Sequence, residues 1–205
     1  MNIEVKTSIK PVDYVKSMKI LEQRVEDVFN GKEDELLWII EHTATYTAGT
    51  SSNNEDLLDK NIKVLKTKRG GKLTYHGPGQ KVVYFVLNLN KREKDIRALV
   101  TKIENCIIAI LKEYKIDSYS DKKNIGIWTG VGNETMKVAA IGIRVKRWIA
   151  YHGFAINVSN NLDGYKGIVP CGIKDKGITN LKKLGVKNYS KINKIIIKKF
   201  LNTFL

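Results

Sequence analysis

The sequence has few cysteines, few prolines and no long apolar run. Its 205 residues include two cysteines and three prolines. Cys106 and Cys171 cannot build a disulfide framework, and nothing near them has the spacing of metal ligands, which favours a reducing cytosol and predicts no metal site. No apolar stretch approaches the roughly 18 residues of a membrane span, and the N-terminus has no apolar segment of a secretory signal. We therefore expect a cytoplasmic protein without a membrane partner.

Acidic residues are also scarce relative to basic ones. The sequence contains 36 Lys and Arg against 21 Asp and Glu, for a formal net charge of +15. Such an excess attracts anionic partners, but it is equally compatible with a solvated basic surface, because the lysines are scattered along the chain. No aromatic-rich recognition motif of a nucleic-acid-binding module is present. We expect no nucleic-acid partner, and the charge alone identifies no other.

The composition is that of a folded protein. Hydrophobic residues make up 42% of the chain and charged residues 28%, a balance typical of globular domains. There is no internal repeat, no low-complexity linker and no firm domain boundary. We therefore predict a single domain spanning 1–205, whose last ~35 residues are compatible with a small appended lobe.

Hydrophobic periodicity predicts an α+β fold. Helical spacing of apolar residues predicts helices over 11–30 and 96–114, and a last helix with Ser190 as its N-cap. Cys106 falls in the second helix, where we expect a small core side chain. Strands are predicted over 35–41, 62–67, 82–88, 125–129, 138–145 and 148–158, the last two joined as a hairpin at Lys146-Arg147. The order of these elements predicts a mixed β-sheet flanked by helices.

The segment RGGKLTYHGPGQ, at 69–80, is too rich in glycine to be an ordinary connection. Its four glycines and Pro78 permit unusual backbone angles and a close approach of the backbone to a ligand. A tight turn with a polar cap would also explain it. Its spacing matches neither a P-loop nor a dinucleotide-binding fingerprint, so we predict no nucleotide cofactor.

Two further segments contain residues suited to a ligand or a reaction. Small residues at Ala139, Ala140 and Gly142 leave room beside the backbone of a predicted strand. Cys171 lies between Pro170 and Gly172 in the segment IVPCGI, an arrangement that suits a thiol presented on a tight turn.

A nucleophilic cysteine needs a base or a cation beside it. A free thiol has a pKa near about 8.5, so little thiolate is present at neutral pH. Lys137, His76 and His152 are the candidates for this partner, and the residues alone do not rank them. A single histidine or lysine is also often structural.

Several motifs in the same order resemble the lipoyl(octanoyl) transferase family. They are RGGKLTYHGPGQ, KVAAIGIRV followed by HGFAINV, and PCGI. EHTATYTAG, upstream, and GIW at 126–128 and GITNL at 177–181 are similar to further segments of that family. The resemblance covers about 36 to 181. One departure is Thr43-Ala44, where the family has a Pro-Pro or similar pair. It does not affect the chemistry that the resemblance implies, which is described next.

The resemblance implies the fold of biotin and lipoate protein ligases and a set of site residues. Cys171 would carry the acyl group, and Lys137 would activate it. The residues expected to line the acyl pocket are Arg69, Gly70, Gly71, Lys72, Leu73, Thr74, Tyr75, His76, Ala140, Ile141, Gly142, Gly153, Phe154 and Ala155.

The resemblance also implies the reaction and the partners. An octanoyl or lipoyl group would pass from acyl carrier protein to Cys171, and then to a lysine of the lipoyl domains of 2-oxoacid dehydrogenase complexes or of glycine cleavage H protein. Exchange between thiols is nearly isoenergetic and amide formation is downhill, so no cofactor is needed. Acyl carrier protein is typically acidic, and basic residues would steer its docking. The alternative is an ATP-dependent lipoate or biotin ligase of the same fold, which needs no nucleophilic cysteine.

Overall fold

The computed structural model describes residues 2–132, 134–169 and 176–205. Its helices are α1 (Tyr14–Phe29), α2 (Ile96–Lys112) and α3 (Ile192–Phe204). Its strands are β1 (Ile3–Thr7), β2 (Glu35–Ile40), β3 (Thr45–Ala48), β4 (Val64–Lys66), β5 (Leu73–His76), β6 (Gln80–Asn88), β7 (Tyr119–Ser120), β8 (Ile127–Val131), β9 (Glu134–Lys146), β10 (Ile149–Asn157) and β11 (Gly177–Ile178).

Two sheets organise these strands. The large sheet has the order β1-β2-β6-β10-β9-β8-β7, and β11 adds to β9. β1 and β11 run parallel to their neighbours and the other pairs of this sheet are antiparallel. A small second sheet has the order β4-β3-β5. The predicted α+β fold with a mixed sheet and flanking helices is therefore confirmed.

Helices cover both faces of the large sheet, because the central strands are apolar on both sides. All residues of β2 and β10 are buried. On one face, α2 and α3 enter the same apolar cluster, to which Ile107 and Phe200 contribute fully buried side chains. On the other face, α1 packs through Leu21 and Val25 against a second cluster. The narrow cavity described below lies on the α1 face, next to Tyr14 at the start of that helix.

Three local predictions were wrong. The polar segment HTATYTAGTSSNNEDLL, at 42–58, predicts a loop, but it contains β3. The hairpin turn lies at Arg147-Trp148 rather than Lys146-Arg147, and both turn residues have positive φ, as a two-residue type I′ turn requires. Ser190 does not cap α3. Its hydroxyl bonds to Asn188 instead, and the N-cap residue is Lys191, without a side-chain hydrogen bond.

The part of the chain that the structure describes contains neither a candidate membrane span nor a candidate metal site. None of its helices is both long and apolar enough to cross a bilayer. Within the same residues, no group of three or more His, Cys, Asp or Glu side chains is arranged to hold a metal ion.

Candidate active site

Arg69 gives the glycine-rich loop its shape. Its Nη2 donates to the carbonyl and the hydroxyl of Thr47 and to the carbonyl of Lys72, each at 2.8 Å, and its Nη1 donates to Gly70 O at 3.0 Å. Gly49 packs against the loop so closely that a Cβ there would lie 2.1 Å from Gly71 O. These bonds tie the loop to β3, so Arg69 builds the wall of the site.

A pair of glycines lets this loop lie against the large sheet. Gly142 of β9 and Gly153 of β10 are paired in register. A Cβ on Gly142 would lie 3.1 Å from Gly70 O, and Gly70 N donates to Ile143 O at 3.2 Å. Gly153 has a φ of +157°, and a Cβ there would lie 1.9 Å from Val83 O. Glycine at 142 therefore permits the close packing of the loop on the sheet, and glycine at 153 permits the close approach of β10 to β6.

A narrow cavity remains between the loop and the sheet. Its volume is about 60 Å³. The predicted pocket residues that line it are Arg69, Gly71, Lys72, Thr74, His76, Ala140, Ile141, Gly142, Gly153, Phe154 and Ala155. These residues come from two segments that are distant in the sequence, and the structure places them around one space.

Three residues expected in the pocket do not line this cavity. Leu73 and Tyr75 lie on the opposite side of β5, because side chains alternate along a strand. They belong to a separate apolar cluster, in which the rings of Tyr75 and Tyr165 lie 5.6 Å apart. Gly70 lines a neighbouring groove instead.

That groove is larger, with a volume of about 550 Å³, and follows β9 beyond the part that pairs with β8. It shares Gly71, Lys72, Ile141 and Gly142 with the cavity. Among the described residues that line it are three lysines, Lys72, Lys123 and Lys137, and no acidic side chain. The groove is therefore a basic approach to the narrow cavity.

The inner end of the cavity is formed by aromatic and imidazole rings that the sequence did not connect. We call Tyr14, His42, His76, Tyr84 and His152 the histidine–tyrosine cluster. Neighbouring rings lie 5.1 Å (Tyr14 and His42), 5.7 Å (His42 and His76) and 6.4 Å (Tyr84 and His152) apart. Tyr84 donates to His42 Nε2 at 2.7 Å. All five side chains are buried, so the cluster closes the cavity away from solvent.

The histidines of this cluster are neutral at physiological pH. Burial, with the nearby charge of Arg69, lowers the pKa of His76 to about 3 and that of His152 to about 3. His76 donates from Nδ1 to Gln80 Oε1 at 2.7 Å, because an amide oxygen can only accept. Burial also raises the pKa of Tyr84 well above its usual value. Histidines with such low pKa values are weak bases, which disfavours His76 and His152 as the partner of a thiol.

Lys137 lies at the other end of the site, and a β-bulge orients it. Ile127 of β8 faces Ala139 while the adjacent Trp128 faces Lys137, so Val138 is the extra residue of β9. Val138 and Ala139 consequently both enter the α2–α3 core. Lys137 is turned to the opposite face, where it borders a small space together with Ala140.

The Lys137 ammonium group is buried and held in place. Only 2% of the residue is exposed. Its Nζ donates to Ile125 O at 3.0 Å and lies 4.6 Å from the ring centroid of Trp128. Gly126 leaves the necessary space, since a Cβ there would lie 2.9 Å from Lys137 Cε. The sequence marked Lys137, whereas it gave no indication of Trp128 or Gly126 as its supports.

Cys171 lies outside the described residues, in the 170–175 segment. Both described neighbours of that segment are tied to the site. Val169 N donates to Asp56 O at 2.7 Å, and Thr179 N donates to Lys137 O at 3.0 Å. Asn157 adds a bond from Nδ2 to Thr179 O at 3.1 Å. Thr179 therefore lies beside Lys137.

Comparison with known proteins gives a consistent family. The model of the lipoyl protein ligase A/B catalytic domain matches residues 13–202. A curated relative from Ehrlichia chaffeensis, named octanoyltransferase, is 45% identical over 205 residues, which cover 98% of this chain and 96% of the relative.

Solved structures show where the same fold occurs. The chain matches a structure from the analysis of a bi-partite lipoate protein ligase and its E2 lipoyl domain from Thermoplasma acidophilum, with a TM-score of 0.72 at 15% identity, covering 98% of this chain and 84% of that one. It also matches biotin acetyl coenzyme A carboxylase synthetase from Helicobacter pylori, with a TM-score of 0.53 at 12% identity, covering 98% and 74%. The expected likeness to lipoate and biotin ligases is confirmed at the level of fold.

Proposed function

This chain belongs to the lipoyl protein ligase A/B catalytic domain family, and we propose that it transfers an octanoyl group from acyl carrier protein to a lysine of a lipoyl domain through a thioester on Cys171. Its curated relatives are octanoyltransferases, and the chain is an acyltransferase. The observation that carries the finer proposal is Lys137. It lines the basic groove, and it also borders the small space that Thr74, Ala140 and Ala155 of the narrow cavity line. Thr179, close after the Cys171 segment, bonds to its backbone.

In the first step the Cys171 thiolate attacks the carbonyl carbon of the acyl thioester. A new carbon–sulfur bond forms to Cys171, the bond to the carrier's sulfur breaks, and the carrier leaves as a thiolate that takes up a proton from Lys137, which is then neutral. Lys137 accepts the Cys171 proton or stabilises the thiolate by its charge. Its burial excludes water from this interaction, and low local polarity strengthens it.

In the second step the amine of the acceptor lysine attacks the acyl–Cys171 thioester. A carbon–nitrogen bond forms, the carbon–sulfur bond breaks, and the Cys171 sulfur leaves. Lys137, neutral at this point, accepts a proton from the incoming amine. The product is an amide, which is more stable than the thioester, so the two steps proceed without ATP.

The neutral inner end of the cavity suits the other end of the substrate. Val82, Phe154 and the histidine–tyrosine cluster bring apolar and uncharged surfaces to the space where the acyl chain would end. Each methylene buried there contributes about 1 kcal/mol, so the depth of the cavity selects chain length. Lys72 and Lys123 at the groove suit an acidic carrier protein.

The experiment that tests the proposal separates it from an ATP-dependent ligase. The protein is mixed with an apo lipoyl domain and either octanoyl-acyl carrier protein or free octanoate, with and without ATP, and the octanoylated acceptor is quantified. We expect transfer without ATP and its loss in Cys171→Ser. Transfer from free octanoate that requires ATP and continues in Cys171→Ser would assign the chain to the ligases instead.

A further inference from the structure

The basic groove runs along an edge of β9 that β8 does not cover. β8 pairs with β9 only from Glu134 to Ala139, whereas β10 pairs with the opposite edge as far as Lys146. The uncovered edge, over 140–146, borders the groove. A strand edge of this kind presents a row of backbone N–H and C=O groups that can pair with another chain.

Three residues turn their backbone groups toward this edge. Because the β9–β10 hairpin has a two-residue turn, the even-numbered residues in this part of β9 bond to β10 and the odd-numbered ones point away. We call Ile141, Ile143 and Val145 the β9 edge. Gly70 N donates to Ile143 O at 3.2 Å, and no other hydrogen bond from residues 2–132, 134–169 or 176–205 reaches the β9 edge from the groove. Its remaining N–H and C=O groups are therefore open to a ligand.

The same residues make the groove apolar. The side chains of Ile141, Ile143 and Val145 are half-buried and line it. Ile96 and Val100 of α2 line it as well, and Ile96 is 45% exposed. An apolar channel along a free strand edge fits an extended chain whose amide groups pair with that edge, which is how proteins add a strand to an open sheet.

The charges of the groove specify a further feature of its ligand. Lys72, Lys123 and Lys137 line it, and no acidic side chain among the described residues does so. Lys72 Nζ lies 4.0 Å from an Asp56 oxygen, whereas Lys123 is exposed and forms no ion pair with the part of the chain that the structure describes. An ammonium group without a partner is available to an anion such as a phosphate.

The phosphopantetheine arm of a carrier protein combines these features. It is an extended chain with two amide groups, a thioester at one end and a phosphate at the other. We propose that the groove binds this arm of the acyl donor, with the amides of the arm paired to the β9 edge and its thioester end toward Lys137. This inference rests on the proposed function, because it takes acyl carrier protein as the donor. It separates two subsites, since the arm occupies the groove and the acyl chain the narrow cavity.

The first test compares three donors that carry increasing lengths of the arm. Octanoyl-N-acetylcysteamine has one of its amides, octanoyl-pantetheine has both, and octanoyl-phosphopantetheine adds the phosphate. We expect kcat/KM for octanoylation of an apo lipoyl domain to rise roughly tenfold at each step, because a paired amide or a phosphate–lysine contact contributes a factor of that order. Equal values for the three donors would overturn the inference.

Two variants locate the gain in the groove. Val100→Phe fills the groove, and we expect it to raise the KM for octanoyl-pantetheine at least fivefold. Thr101→Phe, at the adjacent exposed position of α2, is its control and should match the parent. Lys123→Gln should remove most of the tenfold advantage of octanoyl-phosphopantetheine over octanoyl-pantetheine, whereas Lys122→Gln should retain it. A Lys123→Gln variant that retains the advantage would place the phosphate elsewhere and contradict the proposed arrangement.

Binding of phosphopantetheine itself separates this inference from the proposed function. In a titration followed by backbone amide NMR, we expect the signals of the β9 edge to shift in the parent and in Cys171→Ala, and to stay in place in Val100→Phe. If octanoyl transfer through Cys171 is confirmed but these signals do not shift, the inference is overturned. If they shift but no octanoyl group is transferred, the arm site stands and the proposed function fails. If Val100→Phe raises the KM for the lipoyl domain and leaves that of all three donors unchanged, the groove belongs to the acceptor and the inference is wrong.

Discussion

The two ends of the site differ in the charge of the side chains that they bury. At the inner end, the histidine–tyrosine cluster is buried and neutral, with the pKa values of His76 and His152 lowered to about 3. At the other end, Lys137 is as deeply buried, yet its ammonium nitrogen has a carbonyl acceptor and the face of Trp128. The cluster and Lys137 are buried to a similar degree, and they differ in the groups that their side chains contact.

This difference separates binding from chemistry. Burying a charge is costly unless it finds partners. The histidines of the inner end therefore stay neutral, whereas the Arg69 guanidinium in the wall of the same cavity has the acceptors of Thr47 and Lys72. The Lys137 end holds an amino group that can carry a charge or exchange a proton close to a reacting group. Sites that carry out acid–base chemistry require such an asymmetry, because two equivalent ends would not determine where the carbonyl group of the substrate lies.

Replacing Lys137 by methionine should have the largest effect. Methionine keeps most of the buried volume but removes the ammonium group, so we expect octanoyl transfer to fall by about 10²–10⁴-fold. The initial rate of acceptor octanoylation measures this. Lys122→Met, at an exposed lysine nearby, is the control. An activity within a few-fold of the parent would contradict the assignment of the acid–base chemistry to the Lys137 end of the site.

The second prediction concerns the wall that both ends share. Gly153→Ala places a Cβ where Val83 O lies 1.9 Å away and forces alanine into a φ of +157°. We expect a loss of about 2 kcal/mol or more in the free energy of unfolding, measured by urea titration. Gly130→Ala, where a Cβ meets nothing within 4 Å, should change stability by less than about 0.5 kcal/mol. Equal effects would contradict the close packing of β10 against β6 at Gly153.

The third prediction follows from the neutral histidines. His76 and His152 have folded-state pKa values of about 3, well below the 6.5 of a free histidine. The unfolded chain therefore binds their protons first as the pH falls. Stability should be fully present above pH 6.5 and should decrease from there toward pH 3, by about 1.4 kcal/mol per pH unit for each histidine.

Urea titrations across this pH range test the neutral inner end directly. In His76→Gln, the slope of unfolding free energy against pH should shrink by the contribution of one proton. An unchanged slope would mean that His76 is already protonated in the folded state, and the contrast between the two ends would be lost.

The smallest effect is expected at Cys106. This thiol is buried in α2, and burial raises its pKa to about 11. Cys106→Ala should leave octanoyl transfer within about twofold of the parent, because a protonated, enclosed thiol is a poor nucleophile. A thioester found on Cys106 by peptide mass spectrometry would contradict this view.

Hydrophobic pattern and glycine content predicted much of this structure. The periodicity of 11–30 and 96–114 predicted α1 and α2, and the apolar runs predicted β2, β6, β9 and β10, because these elements bury whole faces. β1 carried too short a signal and was not predicted. Ser190 was wrongly read as a cap, since Asn188 competes for its hydroxyl.

The site was predicted in part for a similar reason. Glycine and alanine mark places where other groups approach closely, and these marked Ala140 and Gly142, whereas Gly153 was implied by the family resemblance. Tyr14, Tyr84 and Trp128 looked like ordinary core residues, and only the folded sheet brings them to the site. The β-bulge that turns Lys137 toward the site leaves no pattern in the sequence, because it depends on the pairing of β8 with β9.

The most direct test of the covalent mechanism is the intact mass of the protein after mixing with octanoyl-acyl carrier protein in the absence of ATP. We predict a mass gain of one octanoyl group that hydroxylamine removes, that Cys106→Ala retains and that Cys171→Ala abolishes. An absence of adduct on folded protein with an intact donor, or an adduct that persists in Cys171→Ala, would contradict a thioester on Cys171.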